Sequence, residues 1–206
     1  MQRRLSVALL LTLLAALAAS ALAIAAPVVL VLGDSISAGY GLPVETGWTT
    51  LLQQRLAAEH YPHRVVNASI SGDTTAGGRT RLDALLARHH PSVTVIELGG
   101  NDGLRGGSLD AMAAAAQKSG SRVLIVGLRL PPNYGPAYVR RFETTYAEVA
   151  RERKAALVPF LFEGFAEDNA MFQSDRIHPV VAAQARLLDN VWRALKPLLG
   201  EPDKPR

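Results

Sequence analysis

Four short blocks hold the side chains of this chain that can do chemistry: Gly33-Asp34-Ser35, Ser71-Gly72-Asp73, Gly99-Gly100-Asn101-Asp102 and Asp175-Arg176-Ile177-His178. A serine hydroxyl is a weak nucleophile. It needs a base within hydrogen-bond reach and a carboxylate to orient that base, and His178 with Asp175 three residues upstream can supply both for Ser35. The tetrahedral species formed on attack needs fixed donors for its oxyanion, and the N–H groups of Ser35 and Gly72 and the side-chain amide of Asn101 are suited to that task. Together the four blocks describe acyl transfer to serine. Taken singly, each has a plainer use: Ser35 or Ser37 as a helix cap, Gly72 as a turn residue, Asn101 as a loop residue bonded to its own backbone. Asp175 and His178 can likewise be the cap and first turn of a final helix with Pro179 at its first position.

The elements that must carry these blocks alternate along the chain. Val28–Gly33 is a run of apolar β-formers that stops at a glycine, the pattern of a strand buried on both faces. Further strands are expected at Arg64–Ala68, Val93–Leu98, Arg122–Leu128 and Ala156–Pro159. Amphipathic helices are expected from Thr46 to His60 (Trp48, Leu51, Leu52, Leu56), around Leu82, Leu85 and Leu86, from Leu109 to Lys118, from Tyr138 to Lys154 (Phe142, Tyr146, Val149), and through Leu187, Leu188, Val191 and Leu195. Phe160 to Phe172 reads as irregular, with exposed aromatics. Strands alternating with helices imply an α/β fold whose parallel sheet is covered on both faces. In such sheets ligands bind beyond the carboxyl ends of the strands, and three of the four blocks follow a strand directly.

The first 25 residues stand apart. Arg3 and Arg4 precede an apolar run from Leu5 to Ala19, and small residues follow at Ala21, Ala23 and Ala25, the pattern of a cleaved secretory signal peptide. Residues 26–206 are then expected to form a single domain that is periplasmic or secreted, with no stable membrane span after processing. Loss of the leader removes two arginines and no acid, lowering the formal charge from +4 to about +2, which gives no electrostatic case for nucleic acid. The 206-residue chain has no cysteine, which excludes a disulfide framework, a thiol nucleophile and a lipid-modified N-terminal cysteine. His60, His63, His89 and His90 sit at helix ends and in loops, where solvated histidines are the default; no third ligand at a sensible spacing completes a metal site.

The blocks G-D-S-I-S-A-G-Y-G (33–41), N-A-S-I-S-G-D-T (67–74), E-L-G-G-N-D-G-L-R-G (97–106), R-L-P-P-N-Y-G (129–135) and D-R-I-H-P (175–179) resemble, in order and across nearly the whole mature chain, those of GDSL or SGNH hydrolases. The likeness is narrower still to the bacterial exported acyl-thioesterase, arylesterase and lysophospholipase group. The resemblance implies a flavodoxin-like three-layer fold with five parallel strands in the order 2-1-3-4-5. It implies Ser35 as nucleophile, His178 as base, Asp175 as its orienting carboxylate, and Ser35, Gly72 and Asn101 as the oxyanion hole. It further implies a serine hydrolase of carboxylic esters and thioesters that needs no metal or organic cofactor. Its partners are small-molecule acyl esters, thioesters or lysophospholipids, and a monomer is the default. An apolar acyl groove is expected from Asp102, Gly103, Leu104, Pro131 and Tyr134. A carbohydrate acetylesterase on the same fold, and a non-catalytic lipid-binding module, are the alternatives; the complete triad argues against the latter.

Two departures from the family pattern stand out. Val180 replaces the small polar residue often found after His-Pro, which weakens a local cap but touches no catalytic atom. The segment between Gly106 and Val123 is shorter than expected by about two helical turns. That predicts a truncated helix over the third and fourth strands and an acyl groove open at its far end.

Overall fold

All six residues of β1 (Val28–Gly33) are buried, because this strand lies inside a five-stranded sheet, between β2 and β3, and both of its faces are covered. The computed structural model describes residues 26–104, 108–130 and 132–204; residues 1–25, the expected signal peptide, lie outside them. Around β1 stand β2 (Arg64–Asn67), β3 (Val93–Glu97), β4 (Arg122–Val126) and β5 (Ala156–Val158). The sheet order is β2-β1-β3-β4-β5 and every pairing is parallel, as expected for the doubly wound fold. Chain direction across the sheet reverses at β1, so the crevice between the ends of β1 and β3 is the switch point where ligands bind.

Helices cover both faces. Trp48–Ala58 (α2) and Val181–Leu195 (α6) pack on each other and on one face. Thr75–His89 (α3), Ser108–Lys118 (α4) and Pro136–Arg153 (α5) line up on the other. Each buries the stripe its periodicity predicts: Leu52 and Leu56 on α2, Leu82 and Leu86 on α3, Phe142, Tyr146 and Val149 on α5, and Leu187, Val191 and Leu195 on α6. Each fully buried aliphatic or aromatic side chain contributes roughly 1.5–3 kcal/mol of transfer free energy. The short α1 (Ser35–Ala38) begins at the end of β1.

The segment between Gly106 and Val123 holds an eleven-residue helix, α4, which buries Leu109, Met112, Ala113 and Ala116 between α3 and α5. Two local expectations need correction. The aromatics of residues 160–172 are not exposed. Phe160 and Phe165 are buried, and Phe162 stacks between Phe160, Phe165 and Phe172 at centroid distances of 5.5–5.8 Å, so an irregular segment closes one edge of the core. His63 is buried rather than solvated, and burial, with Arg122 adding to it, pushes its imidazole pKa down.

Candidate active site

The turn that carries Ser35 follows from a close approach. Gly33 pairs with Glu97 across β1 and β3, and a Cβ at position 33 would lie 2.7 Å from Ser37 Cβ and 2.8 Å from Glu97 Oε2, too close for any residue but glycine. Asp34 then caps α1, its Oδ1 accepting from Ile36 N at 3.0 Å. Ser35 is thereby placed on the first turn of a helix at the carboxyl edge of the sheet.

His178 arrives from a loop, not from a helix. Residues 174–178 are turn and bend, α6 starts only at Val181, and Val180 caps it without a side-chain bond, so Pro179 is not the first residue of the helix. Asp175 Oδ1 accepts from the N–H groups of Ile177 and His178 at 2.9 and 3.0 Å, folding the loop on itself. Phe172 and Pro179 form an antiparallel bridge, and Gln173 N donates to His178 O at 2.7 Å. The Tyr40 ring lies 4.5 Å from that of His178, and Gln173 Nε2 donates to Tyr40 O at 2.8 Å. With the loop so held, His178 Nε2 is 2.8 Å from Ser35 Oγ and His178 Nδ1 is 2.7 Å from Asp175 Oδ2. The bond to His178, reinforced by the Ile177 and His178 N–H groups, holds the Asp175 carboxyl down at about 2. It is therefore ionised at any working pH and fixes Nδ1–H toward itself, leaving Nε2 as the acceptor for the serine proton.

The other two blocks close on the same turn. After β2, Ile70 N donates to Gly33 O at 3.1 Å, which draws the loop carrying Gly72 against the turn that carries Ser35. Gly72 is exposed with φ +80, a left-handed conformation that favours glycine. Arg81 clasps Asp73 Oδ2 through two nitrogens and donates to Ala68 O, which fixes the rest of this loop. After β3, Asn101 Nδ2 donates to Asp34 Oδ2 at 3.1 Å and to Asp73 O at 2.9 Å. The amide of Asn101 is thus tied to the residue before Ser35 and to the residue after Gly72. Burial raises the Asp34 carboxyl to about 6 against the opposing pull of the Ile36 N–H and His178.

The candidate groove residues divide. A cleft of ≈ 360 Å³ is lined by Gly100, Asn101, Asp102, Gly103, Leu130, Tyr134 and Tyr138, so Asp102, Gly103 and Tyr134 border it as expected, and Leu130 joins them without having been singled out. Asp102 also serves the scaffold, since its Oδ2 accepts from Thr75 N at 3.1 Å and from Thr75 Oγ1, tying the start of α3 to this loop. Leu104 does not line the cleft; its side chain packs on the core beside Gly99. Pro131 lies outside the described residues. Among the described residues no three His, Asp or Glu side chains are gathered as metal ligands.

Comparison with known proteins agrees with this geometry. The chain is 57% identical over 182 residues to esterase TesA of Pseudomonas aeruginosa, a match covering 85% of this chain and 90% of the relative. It is 38% identical over 185 residues to thioesterase 1/protease 1/lysophospholipase L1 of Escherichia coli K12, covering 86% and 88% of the two chains. The crystal structure of TesA superposes with a TM-score of 0.80 at 56% identity, over 84% of this chain and 99% of that one. Residues 31–186 match the GDSL-like Lipase/Acylhydrolase family, and they span all four blocks from Ser35 to His178. The chain is a member of that family, an ester and thioester hydrolase of GDSL type.

Proposed function

We propose that the chain hydrolyses small-molecule acyl esters and thioesters through an acyl-enzyme on Ser35. The observation that carries this reading is the unbroken relay from Ser35 Oγ through His178 to Asp175, with bonds of 2.8 and 2.7 Å. Ser35 Oγ attacks the acyl carbonyl as its proton passes to His178 Nε2. The imidazolium, steadied by Asp175, then returns that proton to the departing alcohol or thiol. Water repeats the sequence on the acyl-enzyme and frees Ser35. The oxyanion is held by the N–H groups of Ser35 and Gly72 and by Asn101 Nδ2, which exchanges one of its two present acceptors, Asp34 Oδ2 or Asp73 O, for the oxyanion. Residues 26–206 act as one domain.

The acyl chain lies in the cleft beyond Asn101, between Gly103, Leu130, Tyr134 and Tyr138. Tyr134 is 58% exposed and Tyr138 38%, so the outer wall of this cleft is open to water. Each methylene that is buried contributes about 0.8 kcal/mol, or roughly fourfold in specificity. On p-nitrophenyl esters from acetate to palmitate, below their micellar concentrations, kcat/KM is expected to rise over the first few carbons and then level off. A steady rise to palmitate would show a closed groove and contradict this assignment.

The leader places the enzyme outside the cytoplasm. Export parts it from cytoplasmic acyl-CoA, so lysophospholipids and environmental esters are its natural substrates, and thioester hydrolysis is incidental. N-terminal sequencing of periplasmic protein is expected to begin between Ile24 and Pro27. An intact Met1 on membrane-bound protein would contradict cleavage.

A further inference from the structure

Glu97 ends β3, is completely buried, and takes no part in the relay described above. It is the one acidic residue in the Val93–Glu97 strand, all of whose side chains are buried, and burying a carboxyl there has a cost that something must offset. Its surroundings show what it touches. Glu97 Oε2 accepts from Ser37 Oγ at 2.7 Å, and the same oxygen lies only 2.8 Å from where a Cβ on Gly33 would be. Gly33 and Ser37 are the residues two before and two after Ser35. From the opposite side Asn67 Nδ2 donates to Ser37 O at 2.8 Å and to Thr49 Oγ1 at 3.1 Å. The nucleophile turn is therefore gripped between a carboxyl from β3 and an amide from β2.

Resting on the reading of Ser35 as nucleophile, we propose that Glu97 is a positioning residue for it: its carboxyl fills the space under Gly33 and holds Ser37, so that Ser35 Oγ stays in line with His178 Nε2. The group acts by shape and by accepting a hydrogen bond from Ser37 Oγ. Desolvation raises its pKa well above the usual carboxylate range, and the neighbouring Asp34 adds to the rise, against the opposing pull of Ser37 and the Asp34 and Ser37 N–H groups. The other titratable group facing it is the Tyr146 phenol from α5, itself neutral and donating to Leu98 O at 3.0 Å. A neutral acceptor of the same shape should then serve as well as glutamate, whereas an apolar side chain should not.

The test compares Glu97→Gln, Glu97→Leu and Ser37→Ala, with kcat and KM measured on p-nitrophenyl butyrate per active site titrated by a fluorophosphonate. Glu97→Gln is expected to keep kcat within about threefold, while Glu97→Leu loses about a hundredfold at little-changed KM, the scale of a nucleophile displaced by about an ångström. Ser37→Ala, which removes only the donor, is expected to lose about tenfold by a smaller displacement of the same kind and decides the matter if Glu97→Leu does not fold. A merely structural carboxyl would lower the yield of titratable sites and leave kcat per site unchanged. Wild-type kcat per site in folded Glu97→Leu, or in Ser37→Ala, overturns the proposal, as does Glu97→Gln falling as far as Glu97→Leu. Failure of the wild type to be labelled at Ser35 would instead strike at the nucleophile itself.

Discussion

Replacing Ser35 or His178 by alanine is expected to lower kcat by roughly four to six orders of magnitude, the scale on which a serine relay fails when its nucleophile or base is lost. Without Ser35 there is no atom to carry the acyl group. Without His178 the Ser35 hydroxyl keeps its proton, and no other imidazole is in the relay to replace it. Because the two act as a unit, the double variant should be little worse than either single one. Asp175→Asn should cost less, since it leaves both reacting groups in place and disturbs only the tautomer and orientation of the imidazole. The Asp175 turn also accepts from two backbone N–H groups, and an asparagine oxygen can keep those bonds. Steady-state kinetics on a soluble ester checks all four variants. Near-wild-type turnover by folded His178→Ala would remove the base from its assigned role.

The second large effect is expected at Asn101. Its alanine variant should lose roughly two to three orders of magnitude in kcat with KM little changed, as when a single oxyanion donor is deleted elsewhere. In the free enzyme the Asn101 amide is not idle, for it bonds Asp34 Oδ2 and Asp73 O. These two acceptors hold the amide between the nucleophile turn and the Gly72 loop until charge develops on the substrate oxygen. Its removal also leaves the buried Asp34 carboxyl short of a partner, which adds a stability cost on the order of 1–3 kcal/mol, so the kinetic loss is to be measured per titrated site. A raised KM at unchanged kcat would make Asn101 a substrate-binding residue instead. Gly72 donates through its backbone, so no side-chain deletion offers the same test there.

Most of the sheet was legible because parallel strands buried on both faces are continuous apolar runs, and the helices between them carry a clear 3.6-residue stripe. The contact of Ser35, His178 and Asp175 was legible as a combination, since their side chains can satisfy one another's chemical needs across 143 residues. Other features were not. Phe160–Phe172 follows no helical or strand period, so its burial depends on which neighbours the fold brings to it, and its aromatics looked exposed. Asp175-Arg-Ile-His-Pro has the composition of a helix start, yet its turn is closed by the Asp175 side chain and the helix waits until Val181. Between Gly106 and Val123 the alanine-rich stripe was legible, and its eleven residues pack between two neighbouring helices. Glu97 did leave a trace in the sequence: a glutamate closing the apolar run Val93-Thr-Val-Ile signals a buried carboxyl that needs a reason. Leu104 was assigned to the groove by its apolar character, but a loop with left-handed φ at both Gly103 and Leu104 turns it to the core.

The central claim is that the acyl group passes through a covalent bond to Ser35. The most direct measurement is mass spectrometry of the protein after reaction with a fluorophosphonate, followed by mapping of the modified peptide. The account predicts one adduct per chain, on Ser35, formed by the wild type and abolished in Ser35→Ala. An adduct on any other residue, or an unmodified wild type that still hydrolyses esters, would contradict it.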